Sequence, residues 1–137
     1  MFDSVAKVFL YHNHDFEFEK YDGKTAMDIL LENTDKDGFK LTFDTYWSQF
    51  AGVDPTEFIK NHADRIYVTH LKDMAIINDK KEMTEVCTGI MNFDKILQVS
   101  EQNNIIWHFV EQDEVRMDAF DSMKISFDNL MATGMFE

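Results

Sequence analysis

Four residues able to hold a metal or move a proton stand at the ends of four short apolar runs. His12 follows Val8-Phe9-Leu10-Tyr11, and Asp44 follows Leu41-Thr42-Phe43. His70 follows Ile66-Tyr67-Val68-Thr69, and Glu111 closes the run from Ile105 to Val110. Two imidazoles and two carboxylates form a mixed nitrogen and oxygen donor set. Such a set suits Mn²⁺, Co²⁺, Zn²⁺ or Mg²⁺ without choosing among them. An imidazole also titrates near neutrality, so His12 suits either ligation or acid/base work.

Other residues add to this set. His14 and Glu17 lie just past the first run and are candidates for contact with a substrate. Lys72, two residues after His70, is placed either to hold an anionic substrate group or to pair with Asp73. Tyr46 and Trp47 follow Asp44 and offer aromatic faces that stack on the apolar face of a sugar ring. His62 falls on an expected helix and His108 inside an expected strand, and both read as structural. Cys87 has no basic neighbour in sequence to lower its pKa, which argues against a nucleophilic role. Thr88-Gly89 is too short for a phosphate loop.

The elements that must position these residues follow a simple rhythm. The apolar runs are rich in β-branched and aromatic residues and read as strands. Between them lie segments of helical period. Thr25, with Asp28 three residues on, starts the first helix. Asp54-Pro55-Thr56-Glu57 starts the second: Asp caps it, Pro takes the first helical position and Glu the third. A long loop follows the third strand, and a helix then runs from Phe93 with Asn92 as cap. The last helix starts near Asp118 and sets Phe120, Met123, Phe127, Leu130 and Met131 on one face.

The order is βαβαβαβα, which argues for parallel strands with helical crossovers. Four such units make either a small open sheet or half of an eight-fold barrel, a fold of about 250 residues. In either case the carboxyl ends of the strands share one face. His12, Asp44, His70 and Glu111 would converge there.

Composition narrows the function classes. The chain has 137 residues, 45% of them hydrophobic and 28% charged, enough for one ordinary core. Residues 1–137 read as a single domain. The net charge of −13 argues against nucleic acid and against an anionic membrane surface. A single cysteine permits neither an internal disulfide nor a cysteine zinc cluster. No apolar run approaches the roughly 20 residues of a membrane helix, and Met1-Phe2-Asp3-Ser4 has no signal-peptide pattern. The expectation is a soluble, cytoplasmic protein.

Four motifs carry a family resemblance. They are Tyr11-His12-Asn13-His14-Asp15-Phe16-Glu17-Phe18, Phe43-Asp44-Thr45-Tyr46-Trp47, Thr69-His70-Leu71-Lys72-Asp73-Met74 and Val110-Glu111-Gln112-Asp113. In this order they resemble the sugar phosphate isomerase/epimerase family of the xylose-isomerase-like barrel superfamily. The resemblance implies a (βα)₄ half of a TIM barrel, strands five to eight of the parent fold. It implies a divalent metal (Mn, Co, Mg or Zn) held by His12, Asp44, His70 and Glu111. It also implies proton transfer next to a carbonyl, with Glu111 and His12 as acid/base groups. His14, Glu17, Trp47 and Lys72 would then contact a small-molecule sugar.

Two departures matter. The family usually has a glutamate where His12 stands, although a shift of one or two residues would bring in Asn13 or His14. That departure bears on the two-glutamate epimerase mechanism, and a histidine-rich fifth strand also occurs in dehydratase-like relatives. Nothing resembles the first four strands of the family, so the chain reads as truncated. A half barrel leaves sheet edges open, which implies a homo-oligomer or a missing N-terminal half. The alternatives are a catalytically inactive half-barrel fragment and an inosose-dehydratase-like lyase. DNA cleavage comes last, because of the acidic balance.

Overall fold

The computed structural model describes residues 8–136. The order of elements opens with β1 (Leu10–His12), a 3₁₀ turn (Phe16–Phe18), and the short strands β2 (Lys20–Tyr21) and β3 (Lys24–Thr25). Next come α1 (Ala26–Glu32), β4 (Lys40–Asp44), α2 (Thr45–Phe50) and α3 (Pro55–His62). β5 (Ile66–Leu71) is followed by a hairpin of β6 (Asp73–Ile77) and β7 (Lys80–Thr84). α4 (Phe93–Gln102), β8 (Trp107–Val110) and α5 (Ala119–Ala132) complete the order.

β1, β4, β5 and β8 form one four-stranded sheet in that spatial order, and every pairing is parallel. These are the four strands expected from the apolar runs. The helices between them start at the expected caps. The Thr25 hydroxyl and the Asp28 carboxylate form a reciprocal capping box. Asp54 caps α3 with Pro55 at the first helical position, and Asn92 and Asp118 cap α4 and α5. The helices cover one face of the sheet, and Leu41, Phe43, Ile59, Leu71, Ile96 and Leu97 are buried in the core. Phe43 stacks on Phe58 with ring centroids 4.5 Å apart. Arg65 is also buried, because its guanidinium donates to the carbonyls of Leu31 and Phe39 and to the Thr34 hydroxyl.

Three features differ from the expectations. First, α2 begins directly after β4, where Asp44 serves as its cap. Second, the long loop after β5 contains the β6–β7 hairpin. Its turn uses Asn78 and Asp79, both at positive φ (51° and 63°), the geometry that two-residue hairpins favour. The hairpin is anchored by Asp73, whose carboxylate accepts from the N–H groups of Met74, Gly89 and Met91. Gly89 packs so closely there that a Cβ would overlap the Met74 carbonyl.

Third, the apolar face of α5 is not the buried one. Leu130 is buried, but Phe120 is 86% exposed, Phe127 is 59% exposed, and Met123 and Met131 are exposed as well. The helix docks instead through Ser122, Ser126 and Asn129. The Ser126 hydroxyl accepts from Val86 N–H, Asn129 donates to the Val86 carbonyl, and Ser122 donates to Glu85. The segment beneath α5 presents backbone polar groups, so small polar side chains satisfy it and apolar ones would not.

Among the described residues β1 and β8 each have one neighbour in the sheet, so each leaves a strand edge open. Trp107 and Phe109 on β8 are about half exposed, and their register with Val68 and His70 puts them on the sheet face that carries His70. This is the architecture of half a TIM barrel. No helix of the described residues is long and apolar enough to cross a membrane.

The docking of α5 gives an unusual ranking of variants. Ser126→Ala should cost about 1–3 kcal/mol, because it leaves the buried Val86 N–H without a partner. Phe127→Ala should change the stability of the isolated chain by no more than about 0.5 kcal/mol. Urea midpoints measured at high dilution test this order, and a larger loss for Phe127→Ala would refute the assigned face.

Candidate functional site

The parallel register of β4 and β5 sets Asp44 opposite His70. β1 brings His12 beside them, and Glu111 follows β8 with its N–H donating to the Leu71 carbonyl. The donor atoms of His12, Asp44 and His70 all lie within 4.8 Å of one another.

Asp44 is the centre of the site and is fully buried. Asn13 pins its backbone: the Asn13 side-chain oxygen accepts Asp44 N–H at 2.8 Å, and its amide donates to the Asp44 carbonyl at 3.3 Å. The carboxylate divides its two oxygens. Oδ1 accepts Trp47 N–H at 2.9 Å as the cap of α2. Oδ2 faces His12 Nε2 at 3.1 Å, His70 Nδ1 at 3.6 Å and Lys72 Nζ at 3.1 Å. Burial alone would raise the pKa of Asp44. His12, His70 and the charge of Lys72 outweigh burial and hold the carboxyl well below the usual range.

Lys72 departs from the expected pairing with Asp73. It does not pair with Asp73, whose carboxylate is taken up by the hairpin backbone, and its ammonium is buried. Nζ contacts Asp44, Glu111 and Asp113, the last at 2.7 Å. Burial opposes its charge, but the three carboxylates win and push its pKa above the ordinary lysine value. Lys72 in turn overcomes the effect of burial on Asp113 and lowers that carboxyl. Glu111 Oε2 lies 3.7 Å from His70 Nδ1, on the side of the site that Lys72 occupies. His70 Nδ1 is buried without a hydrogen-bond partner.

The remaining candidates build the wall. His14 packs edge-on to His12 at 4.7 Å, stacks on Phe16 at 5.5 Å and tilts against Trp47 at 5.5 Å. The Trp47 indole N–H is buried and unpaired. Glu17 is buried, and its two oxygens accept from the Tyr11 hydroxyl and from His14 N–H, so it shapes the loop that carries His14. His62 packs on Phe58, and His108 bonds the Thr69 hydroxyl at 2.6 Å, both away from this cluster. Burial pushes the Cys87 thiol up.

Two participants had no assigned role in the sequence. Asn13 stood beside His12 but looked like an alternative to it rather than a brace for Asp44. Asp113 lay inside the fourth motif, but only the fold brings it to Lys72, 41 positions earlier.

The comparisons place this arrangement among known proteins. No protein-family profile matches the chain. Its fold matches the crystal structure of a sugar phosphate isomerase/epimerase from Parabacteroides distasonis, with a TM-score of 0.80 and 29% identity. That match covers 98% of this chain and 49% of the other. A xylose isomerase domain protein from Planctomyces limnophilus shares the fold at a TM-score of 0.67 and 14% identity, over 90% of this chain and 45% of that one. An inosose dehydratase from Geobacillus kaustophilus is 42% identical over 48 residues, which is 35% of this chain and 16% of the dehydratase. The chain therefore spans about half the length of the solved barrels it resembles.

The ionisable groups set the pH range of stability. Asp44 and Asp113 are held low, so their contribution is complete above about pH 5 and is lost as pH falls through the carboxylate range. Burial lowers His62 and His108, which removes stability as pH drops below their ordinary value of 6.5. Lys72 is held high, and burial together with Glu17 pushes Tyr11 up to about 12. Their contributions are present below about pH 10 and are lost as pH rises further. Urea unfolding across the pH range should show a plateau from about pH 7 to 10 with a fall on either side.

Proposed function

We propose that this chain is the C-terminal half, strands five to eight, of a divalent-metal-dependent sugar or sugar-phosphate isomerase/epimerase-like barrel. Its chemistry is proton transfer next to a carbonyl. The observation that carries this reading is the His12, Asp44 and His70 donor cluster at the strand ends. It stands on a fold that matches a sugar phosphate isomerase/epimerase over nearly the whole chain.

The donor set fits a divalent ion. Asp44 Oδ2 points at both imidazoles, and His70 Nδ1 is a buried nitrogen with no other partner. Glu111 lies close enough to His70 to be the fourth ligand. Bound there, the ion supplies a Lewis acid that polarises carbonyl and hydroxyl oxygens.

The residues divide the remaining work. Glu111 is partly exposed and takes the proton from the carbon beside the carbonyl. The same proton, returned to the neighbouring carbon while the adjacent hydroxyl proton passes to the former carbonyl oxygen, completes an isomerisation. Where His12 stays off the ion and serves as the second acid, the proton it delivers to the opposite face completes an epimerisation. Neither route needs a redox partner. His14 and Trp47 form the wall for a sugar ring, and the unpaired Trp47 indole N–H can donate to a hydroxyl. Glu17 holds His14 in place.

A lyase reading is favoured by the 48-residue likeness to an inosose dehydratase. The same base would remove the same proton, but the adjacent hydroxyl would leave as water. Product analysis with inososes and ketoses separates the two.

The open edges of β1 and β8 and the bare face of α5 call for a second half barrel, supplied by another copy or by an N-terminal half. We assign the chain, as a single soluble domain, to the cytoplasm. Native mass spectrometry after Mn²⁺ loading should report two copies with bound metal. A metal-free single copy would favour an inert fragment. Glu111→Gln should lower turnover by at least about 100-fold in a variant that still folds. Retained turnover would remove Glu111 from the proton transfer.

A further inference from the structure

We infer that Lys72 is a built-in counter-cation that competes with the divalent ion for Asp44 and Glu111 and thereby sets the affinity of the site. This rests on the metal-dependent reading above. The geometry is specific. Asp44 has one oxygen available to a ligand, because Oδ1 is taken by Trp47 N–H. That remaining oxygen, Oδ2, already meets the Lys72 ammonium at 3.1 Å. The ammonium also touches the Glu111 oxygen that lies nearest His70. An ion gripped by His12, Asp44 and His70 must share both carboxylates with a fixed positive charge.

The charges explain why the competition can be resolved. Three carboxylates, Asp44, Glu111 and Asp113, surround one ammonium, which leaves two negative charges. A divalent ion balances that excess. Asp113 supplies the place to which Lys72 can withdraw. Its Oδ2 is 2.7 Å from Nζ, and its side chain is partly exposed. Nζ also lies 6.0 Å and 5.7 Å from the ring centroids of Tyr46 and Trp47. With Asp44 and Asp113 oxygens at 3.1 Å and 2.7 Å from Nζ, a short shift of the ammonium trades one carboxylate for the other.

Two substitutions should move the affinity in opposite directions. Lys72→Met keeps an unbranched, apolar stem and removes the charge, so the purified chain should bind Mn²⁺ on the order of 10- to 100-fold more tightly. Asp113→Asn removes the place of withdrawal and should weaken binding by about 10-fold. Isothermal titration calorimetry with Mn²⁺ alone measures both. The metal-induced rise in melting temperature is the second readout. It should be larger in Lys72→Met than in the parent, even if the metal-free variant melts earlier. If the parent binds Mn²⁺ but Lys72→Met binds equally or more weakly, Lys72 is a structural support and the inference fails while the metal reading stands. If neither the parent nor either variant binds Mn²⁺, both fail.

Discussion

The strand ends are organised around one buried carboxylate. Removing Asp44 from water costs several kcal/mol unless its charge is met by donors and cations. Each neighbouring element supplies part of that compensation. The loop after β1 contributes Asn13, which holds the Asp44 backbone, and β1 itself contributes His12. α2 starts directly after β4, so its first turn donates an N–H to Oδ1. β5 contributes His70, and Lys72 follows immediately. The parallel register is what lets His12 from β1 and His70 and Lys72 from β5 and its end reach one carboxylate oxygen. In an antiparallel sheet, consecutive strand ends would lie on opposite sides.

The part of the site closest to the sheet was legible in the sequence. A strand that ends in His, Asp or Glu announces its residue at a known face once the strands are known to be parallel. That is why His12, Asp44 and His70 could be grouped without coordinates. Lys72 and Asp113 were not legible in the same way. Their pairing crosses from the end of β5 to the loop after β8, and nothing local in either segment favours it. The hairpin had a local signal, the Asn78-Asp79 turn, but it has no glycine and was hidden in a long polar stretch. α5 misled for a different reason. Its apolar period is real, but hydrophobic period does not say which partner a face meets. The segment beneath the helix offered backbone N–H and C=O groups at Val86, and serines answered them.

The same helix connects the site to the shape of the molecule. In a closed barrel no strand has a free edge. Among the described residues β1 and β8 are both free on one side, and apolar residues of β8 and of α5 are exposed. The donor cluster sits at the end of the same sheet, so whatever completes the sheet also completes the walls around it. This ties enclosure of the site to the edges, although the donor atoms themselves come from strands already present.

Charge limits the substrates the site can hold. The chain carries a net −13, and the one ammonium in contact with the donor cluster is enclosed by three carboxylates. Lys72 is thus committed to neutralising the protein itself. An anionic group brought near would have to displace a carboxylate from that ammonium or find a cation elsewhere. A neutral polyol meets no such conflict. It needs donors and acceptors for its hydroxyls and an apolar face for its ring, and Trp47 and His14 supply those beside the donor cluster.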